Sequence, residues 1–284
     1  MWLSASAGSN PVTRIHEVNE GSKRFSVLFT RTFEANNDKK MKSYLFSEKL
    51  VDGLIKSRPN RFIMAVEIDG TIHRCHCPST GRIGTIKFDD VPCLLSRSRD
   101  AARKTAFTVE AISVDRQETI KKVWIGINQS KANQYIEFFL KSGQLTKMIP
   151  AVEEVGREVK LGRSRIDFLV NKKDYVEVKT PLKDFIPKGA PEVKGMPLTN
   201  FERIIKHFKD ISSSIKDGSR AIFLMCYMYD AKPFMVPKPS TKEMQIVRAA
   251  RIASKKGLES WQINLNINKN GVRLRSYFRL ELFR

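Results

Sequence analysis

Residues 162–180 read GRSRIDFLVNKKDYVEVKT, and this stretch decides the fold of the second half of the chain. Apolar and polar residues alternate over residues 166–170 and again over residues 175–179, which is typical of strands with one buried face. Asn171-Lys172-Lys173 lies between the two runs and predicts a three-residue loop. We therefore expect a two-stranded antiparallel hairpin.

Burial of the apolar side chains fixes the register of this hairpin. A slip of one residue would turn one apolar set toward the polar face, so the two sets must share a face. With that constraint, each residue of the first strand has one partner on the second. The expected pairs are Ile166 with Val178, Phe168 with Val176, and Asp167 with Glu177.

The expected pair of carboxylates needs a compensating charge. Opposed Cβ atoms on neighbouring strands are about 5 Å apart, where like charges repel. Mg²⁺ (or Mn²⁺) between Asp167 and Glu177 would relieve this repulsion, since Mg²⁺ is commonly held by one or two carboxylates together with substrate phosphate. Lys179 would steady the charge that develops on a phosphate during hydrolysis, so we assign catalysis to these three residues. The alternative is a solvated hairpin in which Lys179 and Arg165 neutralise the acids.

The charge of the chain favours a polyanionic partner. The chain has 284 residues, 41% of them hydrophobic, and a formal net charge of +21. The excess of Lys and Arg is spread over both halves, as expected for a protein that contacts nucleic acid. A basic soluble protein, or one that touches anionic lipid, is the alternative.

Membrane and secreted classes are disfavoured. The longest apolar run, AIFLMCYMY at residues 221–229, is too short for a bilayer core of about 30 Å. The N-terminus has no charged start followed by an apolar run, and four cysteines suit a reducing compartment. We expect an intracellular protein: cytoplasmic or nucleoid-associated in a prokaryote, nuclear or organellar in a eukaryote.

The chain divides into three parts. Residues 1–44 predict an extension that includes a strand over residues 24–33. The pattern over residues 45–127 predicts short strands joined by turns, one of them a hairpin turn at Asp69-Gly70. Such a pattern favours a small barrel, and a sandwich is the alternative. Residues 128–284 begin a different pattern.

That third part predicts a helix, three strands, a helix and a further strand. The first helix covers residues 128–143, and the strand after the second helix covers residues 220–229. A capping box of Thr199 and Glu202 starts the second helix, which ends at Gly218. A final helix is expected around residues 241–256.

Five segments, in order, carry a family pattern: GLIKSRPNRF (53–62), HCPSTGR (76–82), EVKLGRSRIDF (158–168), YVEVKT (175–180) and ERIIKH (202–207). Their order and spacing resemble the sugar fermentation stimulation protein A family from about residue 45 to about residue 258. The resemblance implies an α+β chain. An N-terminal OB-like β-barrel is followed by an α/β PD-(D/E)xK nuclease-like domain, whose mixed sheet is flanked by helices, and DNA binding is the associated activity.

The same resemblance extends the site and marks two departures. Glu158 matches the family pattern, which implies that it joins Asp167 and Glu177 as a metal ligand. Leu198 stands where the family usually has an acid. On the first helix, Glu137 is one place away from the position of the acid that PD-(D/E)xK nucleases carry there.

Basic residues of the barrel half predict sequence-tolerant binding to DNA, single- or double-stranded. The densest basic loop is SRSRDAARKT at residues 96–105, whose cations would contact phosphates. Phe62 and Phe88 could stack bases. The residues assigned to nucleic-acid binding are Arg58, Arg61, Arg82, Arg97, Arg99, Arg103, Lys104, Arg165 and Lys206.

The HRCHC segment at residues 73–77 raises the question of zinc. Its two cysteines and His73 share a strand face, but a zinc site needs about four converging ligands. Cys93 is the one addition nearby, so we favour buried cysteines over a metal centre.

The best-supported function from sequence is therefore sequence-tolerant DNA binding with a Mg²⁺-dependent, endonuclease-type phosphodiesterase site. A non-catalytic DNA-binding regulator, or an RNA-binding or RNA-processing protein, is the alternative, because dispersed positive charge suits either polymer.

Overall fold

The computed structural model describes residues 42–84, 86–162, 164–182, 210, 213, 219–234, 248 and 251–280. Residues 1–41 of the predicted extension (1–44) and the capped helix near Thr199 lie outside the described residues, apart from helical positions at Asp210 and Ser213. None of the described helices is both long and apolar enough to cross a membrane.

The described elements include two sheets and one helix of ten residues. In chain order they are β1 (Tyr44–Leu45), β2 (Val51–Asn60), β3 (Ile63–Ile68), β4 (Thr71–His76), β5 (Val91–Arg97), β6 (Phe107–Ser113), β7 (Trp124–Gly126), α1 (Ala132–Lys141), β8 (Val155–Leu161), β9 (Ser164–Val170), β10 (Asp174–Lys179), β11 (Arg220–Tyr227), β12 (Leu258–Ile267) and β13 (Gly271–Leu280).

Strands β2 to β6 close a five-stranded OB-like barrel, which confirms the predicted fold of this half. Strand β2 pairs with β3 and β5, β3 pairs with β4, and β5 pairs with β6. A parallel contact of β4 with β6, at His76 and Thr108, closes the circle. Asp69 and Gly70 both have positive φ, as the turn between β3 and β4 requires.

Strand β7 pairs with β6 at the edge of the barrel sheet. Strands β1 and β8 to β13 build a seven-stranded mixed sheet in the order β1-β13-β12-β11-β10-β9-β8. Strands β10, β11 and β12 are parallel, and the other pairs are antiparallel. The short strand β1 belongs to this sheet because Leu45 pairs with Gly271. The fold is thus a barrel followed by a mixed sheet with few helices.

The predicted hairpin is β9 and β10, joined by Asn171-Lys172-Lys173. Two of these loop residues adopt positive φ, and the Asn171 side chain accepts hydrogen bonds from the backbone of Glu153 and Glu154. Phe168 pairs with Val176 as predicted, and the backbone pairing then ends.

The hairpin departs from regular alternation at Asp167. Phe168 packs in the same apolar cluster as Val176 and Val178, whereas Ile166 packs with Phe223 on the other side of the sheet. The expectation that Ile166 and Val178 share a face is therefore wrong. The Asp167 carboxylate accepts a hydrogen bond from the backbone N–H of Val178. In a regular antiparallel pair this N–H would donate to a backbone carbonyl of the neighbouring strand.

Helix α1 covers one face of the large sheet and follows the barrel directly. Its apolar side contributes Tyr135, Ile136 and Phe139 to the cluster that holds Val176 and Val178. The predicted end at Gly143 is confirmed, since Gly143 has φ +67.

Two close contacts join the barrel strands to the sheet. The N–H of Gly126 donates to the carbonyl of Met228 at 2.9 Å, and a Cβ at position 126 would lie 2.6 Å from the Met228 side chain. Buried Glu110 of β6 accepts hydrogen bonds from Asn128 and Lys131, which lead into α1. The Glu110 bonds thus hold the residues before α1 against the barrel.

Candidate nuclease-type site and nucleic-acid interface

Asp167 is held by two hydrogen bonds from different elements. Its Oδ1 accepts a bond of 2.8 Å from Nδ2 of Asn133 on α1, and its Oδ2 accepts a bond of 2.7 Å from the backbone N–H of Val178 on β10. A carboxylate offers about four acceptor positions, so each oxygen retains a lone pair for a further partner.

Glu177 and Lys179 occupy the next strand and form an ion pair. Nζ of Lys179 donates to Oε1 of Glu177, whose side chain is only 3% exposed. The parallel neighbours of these residues on β11 are Phe223 and Met225, both buried. Glu177 is therefore an acid inside the sheet, which excludes a fully solvated hairpin.

The three predicted catalytic residues are electrostatically coupled. Burial raises the pKa of Asp167 above its usual 3.8, and the nearby charge of Glu177 raises it further. The bonds from Val178 and Asn133 and the charge of Lys179 act in the opposite direction. This is the behaviour expected of two acids that share one site.

The structure does not bring Glu158 to this pair. Glu158 lies on β8 with φ +50, and its exposed carboxylate bonds to NH1 of Arg165 at 3.0 Å. Within the described ranges, no group of three or more Asp, Glu, His or Cys side chains is arranged to hold a metal ion.

Asn133 is the site residue that sequence reasoning missed. It lies on α1 one turn before Glu137, and Glu137 is instead paired with Lys141 and Arg157. The helix thus presents an amide to Asp167, and a search for acidic residues on α1 does not detect an amide.

A chain of hydrogen bonds links the barrel to the end of β10. Oγ of buried Ser79, in the HCPSTGR segment, donates to the carbonyl of Ile127 at 2.6 Å and lies 3.1 Å from Oε1 of Gln129. Nε2 of Gln129 donates to the carbonyl of Thr180, next to Lys179. The N–H of Gly84 donates to the carbonyl of Leu182 at 3.0 Å.

The Arg58 side chain hydrogen-bonds to backbone carbonyl groups. Its NH2 group donates to the carbonyls of Arg61, Ser79 and Gly81, at 3.2, 2.7 and 3.1 Å. Its guanidinium also lies over the ring of Phe88, which packs against the barrel core. Arg58 therefore ties the turn between β2 and β3 to the loop after β4.

The predicted basic loop forms the connection between β5 and β6 (residues 98–106), and residues 99–104 are exposed. Arg97, at the end of β5, lies with its guanidinium 5.1 Å from the centre of the Phe107 ring. Arg99 forms an exposed ion pair of 3.3 Å with Glu48. Burial lowers the pKa of His76, and the positive charge of Arg103 lowers it further. Lys104 is exposed.

The other assigned cations are dispersed. Arg61 and Arg82 are exposed on the barrel, and Arg165 is exposed on β9 beside Glu158. Lys206 lies outside the described residues. The described cations of this set therefore belong to several different elements of the barrel and the sheet.

The HRCHC segment contributes its two cysteines to the barrel core. Cys75 and Cys77 are fully buried with Cys93 in the barrel core, and burial raises the pKa of each thiol. His73 packs edge-on against Phe107. The cysteines therefore act as small apolar residues.

Fold and site together define a class: an OB-type barrel joined to a nuclease-like sheet that carries a D…E-x-K set. Residues 57–127 match the SfsA N-terminal OB domain, and residues 130–271 match the sugar fermentation stimulation protein RE domain. The chain belongs to the sugar fermentation stimulation protein A family, as the five sequence segments imply.

Relatives and one solved structure support this placement. The chain is similar to sugar fermentation stimulation protein homologues from Synechococcus sp. (strain JA-2-3B'a(2-13)), with 29% identity over 81% of this chain and 92% of the relative, and Synechococcus sp. (strain JA-3-3Ab), with 34% over 64% and 72%. The structure of Pyrococcus furiosus SfsA in complex with Ca²⁺ has the same fold, with a TM-score of 0.63 and 20% identity over 85% of this chain and 100% of that one.

Proposed function

We propose that this protein binds DNA with little sequence preference and hydrolyses phosphodiester bonds in a metal-dependent reaction at Asp167, Glu177 and Lys179. The observation that carries the proposal is the buried Glu177–Lys179 pair beside an Asp167 whose two oxygens are both oriented. A buried acid next to a second acid is costly unless a cation or a proton joins them.

The donor set fits a hard divalent cation. Mg²⁺ and Mn²⁺ accept oxygen ligands, and Mg²⁺ usually keeps several waters while one or two carboxylates hold it. Asp167 and Glu177 supply two carboxylates. Burial and the charge of Glu177 raise the pKa of Asp167, and a bound cation would offset both effects. The Pyrococcus furiosus relative was solved in complex with Ca²⁺, another oxygen-seeking cation.

Each residue of the candidate site has a separate role in this proposal. A metal held by Asp167 and Glu177 would polarise the phosphate and acidify a water molecule. Asn133 and the Val178 N–H hold the Asp167 carboxylate in one orientation. Lys179 balances Glu177 in the resting protein, and on substrate binding its ammonium is placed to attract a phosphate oxygen.

The barrel supplies affinity for the polymer. Exposed cations on the loop between β5 and β6 and at Arg61 and Arg82 contact phosphates, which gives binding without base readout. The link from Ser79 through Gln129 to Thr180 keeps the barrel in a fixed position relative to β10. Substrate held on the barrel is thereby presented to the site.

One observation favours a second candidate, a non-catalytic DNA-binding regulator. The α1 residue that bonds Asp167 is an amide, and no third acid joins the pair within the described residues. A two-carboxylate site would hold metal weakly, so binding without turnover is the alternative.

The test is cleavage of supercoiled plasmid and single-stranded DNA with Mg²⁺, Mn²⁺ or no metal. We expect metal-dependent cleavage that Asp167→Asn and Glu177→Gln each reduce about 100-fold or more, in the range for loss of a catalytic group. Glu154→Gln, at an exposed acid paired with Lys172, is the matched control and should leave the rate unchanged. Cleavage that survives both site variants would overturn the assignment, and DNA binding without cleavage under any metal would favour the regulator.

A further inference from the structure

One large apolar side chain on the barrel is both exposed and rigidly mounted. Phe62, in the turn between β2 and β3, is 46% exposed. Oδ1 of Asn60 accepts the N–H groups of Phe62 and Ile63 at 2.9 and 3.0 Å, and the carbonyl of Phe62 accepts the N–H of Cys77 at 2.7 Å. An exposed phenylalanine on a mobile turn needs no explanation, but this turn is fixed on both sides of the ring.

Arg61 places positive charge directly against this ring. The guanidinium of Arg61 lies 4.7 Å from the ring centre, and Arg58 bonds the carbonyl of Arg61. Ile63, the next residue, pairs with His76, and His76 pairs with Thr108 near the start of β6, directly after the loop that carries Arg103. An apolar face among cations suits a ligand that combines flat aromatic rings with negative charge.

The position of this cluster in the barrel supports the same ligand. The barrel strands are β2 to β6, so the turn at Phe62 joins the first and second of them, and the loop that carries Arg103 joins the fourth and fifth. In OB folds these two loops and the face of the second and third strands border the surface that accepts oligonucleotides. Here that face carries His76, which pairs with Ile63, and exposed Arg74, which pairs with Ala65.

The cluster is also connected to the nuclease-type site. Arg58 bonds the backbone of both Arg61 and Ser79, and Ser79 reaches Thr180 through Gln129. Every link is a direct hydrogen bond or polar contact between described residues. A nucleotide on Phe62 would therefore lie at a fixed offset from Lys179.

We propose that Phe62 and Arg61 form a stacking subsite for an unpaired base, with His76 and Arg103 along the path of its strand. Single-stranded nucleic acid is then the preferred ligand. In a duplex the base faces are covered by their neighbours, so the ring of Phe62 has nothing to stack on. This inference rests on the proposed nucleic-acid binding and adds the substrate class.

The experiment measures fluorescence anisotropy of labelled oligo(dT), oligo(rU) and a blunt duplex hairpin, in EDTA so that no probe is cleaved. Wild-type protein should bind both single strands more tightly than the duplex. Phe62→Ala should weaken single-strand binding about 5- to 100-fold while duplex binding changes less than about twofold, as expected for loss of one stacked base. Oligo(dT) and oligo(rU) distinguish DNA from RNA.

Two further variants separate stacking from general apolar contact. Phe62→Leu keeps the apolar volume but loses the ring, so it should resemble Phe62→Ala, whereas Phe62→Tyr should bind like wild type. Ile252→Ala, at an exposed apolar residue on the helical segment near residue 252, is the matched control and should change no affinity. Thermal melting of each variant excludes loss of folding.

The outcomes distinguish this inference from the proposed catalysis. Equal loss of single-strand and duplex affinity, or no loss in Phe62→Ala, would overturn the subsite even if the wild-type protein cleaves DNA. Selective loss of single-strand binding supports the subsite even if no metal yields cleavage. A wild-type protein that binds none of the probes would overturn both.

Discussion

Nδ2 of Asn133 donates a hydrogen bond of 2.8 Å to Oδ1 of Asp167, so an amide on the first helix of the sheet domain orients the central acid of the site. The bond lowers the pKa of Asp167 against the combined effect of burial and Glu177. It therefore favours the ionised acid that a metal ligand must be.

Replacing Asn133 should weaken metal binding. Asn133→Ala removes a bond that lowers the pKa of Asp167, so the acid stays protonated to a higher pH and the pH-dependent rise of metal affinity moves upward. We expect an affinity loss of about 10-fold at neutral pH, as for other groups that orient metal ligands. Isothermal titration with Mn²⁺ over a range of pH measures it. Asn133→Asp should bind metal more tightly, and an unchanged profile in both variants would exclude the orienting role.

Asp167→Asn should make the metal-free protein more stable at neutral pH. The pKa of Asp167 is raised in the folded state, so its contribution to stability is complete below the unfolded value near 3.8 and is lost as pH rises through the folded value. A permanently neutral amide avoids that loss. Its carbonyl can still accept the Val178 N–H, and its NH2 group can donate to Oδ1 of Asn133 once the Asn133 amide turns over. Urea unfolding in EDTA at neutral and acidic pH should show a gain that disappears at the acidic end. A gain independent of pH would point to packing instead.

Glu158→Gln should leave metal affinity unchanged. The carboxylate of Glu158 is exposed and turned to Arg165, so it makes no contribution to the pair at Asp167. Titration with Mn²⁺ compares this variant with Glu177→Gln, which should lose most of the binding. Equal losses in the two variants would show that Glu158 swings inward when metal binds.

The basic loop between β5 and β6 should determine the salt dependence of binding. Replacing Arg97, Arg99 and Arg103 with Ala should reduce the slope of log affinity against log salt by about 0.9 for each phosphate that the protein no longer neutralises. Arg103→Ala should have a larger effect than Arg99→Ala, because Glu48 already neutralises part of the charge of Arg99. Anisotropy at several salt concentrations tests both statements, with Lys172→Ala on the hairpin loop as the control. Equal slopes in the triple variant and wild type would place the phosphate-binding cations elsewhere.

Glu110 should be a large contributor to stability. Its side chain is 1% exposed and accepts bonds from Ser96, Asn128 and Lys131. Glu110→Ala should lower the free energy of unfolding by about 3 kcal/mol, at the lower end for a broken buried ion pair because Lys131 can reach solvent. Glu110→Gln should cost less since it keeps some of the hydrogen bonds. Denaturant titration measures each, and a loss within experimental error for Ala would contradict the structural role.

Periodicity in the sequence predicted the hairpin well. The loop at residues 171–173 and the pairing of Phe168 with Val176 follow from apolar alternation and from turn residues that tolerate positive φ. The bond from Val178 to the side chain of Asp167 does not follow from it, because alternation reports which residues are buried and not which acceptor takes a backbone N–H.

The final hairpin, β12 and β13, was not predicted, and its polar interior is the reason. Gln262 and Asn264 are buried on β12, where they bond the backbone at Phe234 and Ala231. Two buried amides interrupt the apolar pattern by which strands are found. The Asn270-Gly271 dipeptide, where the turn enters β13, was the available signal.

The sharing of apolar side chains between barrel and sheet limits how the gene can be divided. Leu182, just after β10, is buried in the barrel core, while Leu94 and Ala111 of barrel strands are buried with the sheet residues. Each half thus fills part of the interior of the other. A fragment that starts at residue 128 would expose Leu182 to water and should aggregate. If recombination removed or exchanged the barrel, the remaining sheet domain would therefore need compensating substitutions at the residues that contact the barrel.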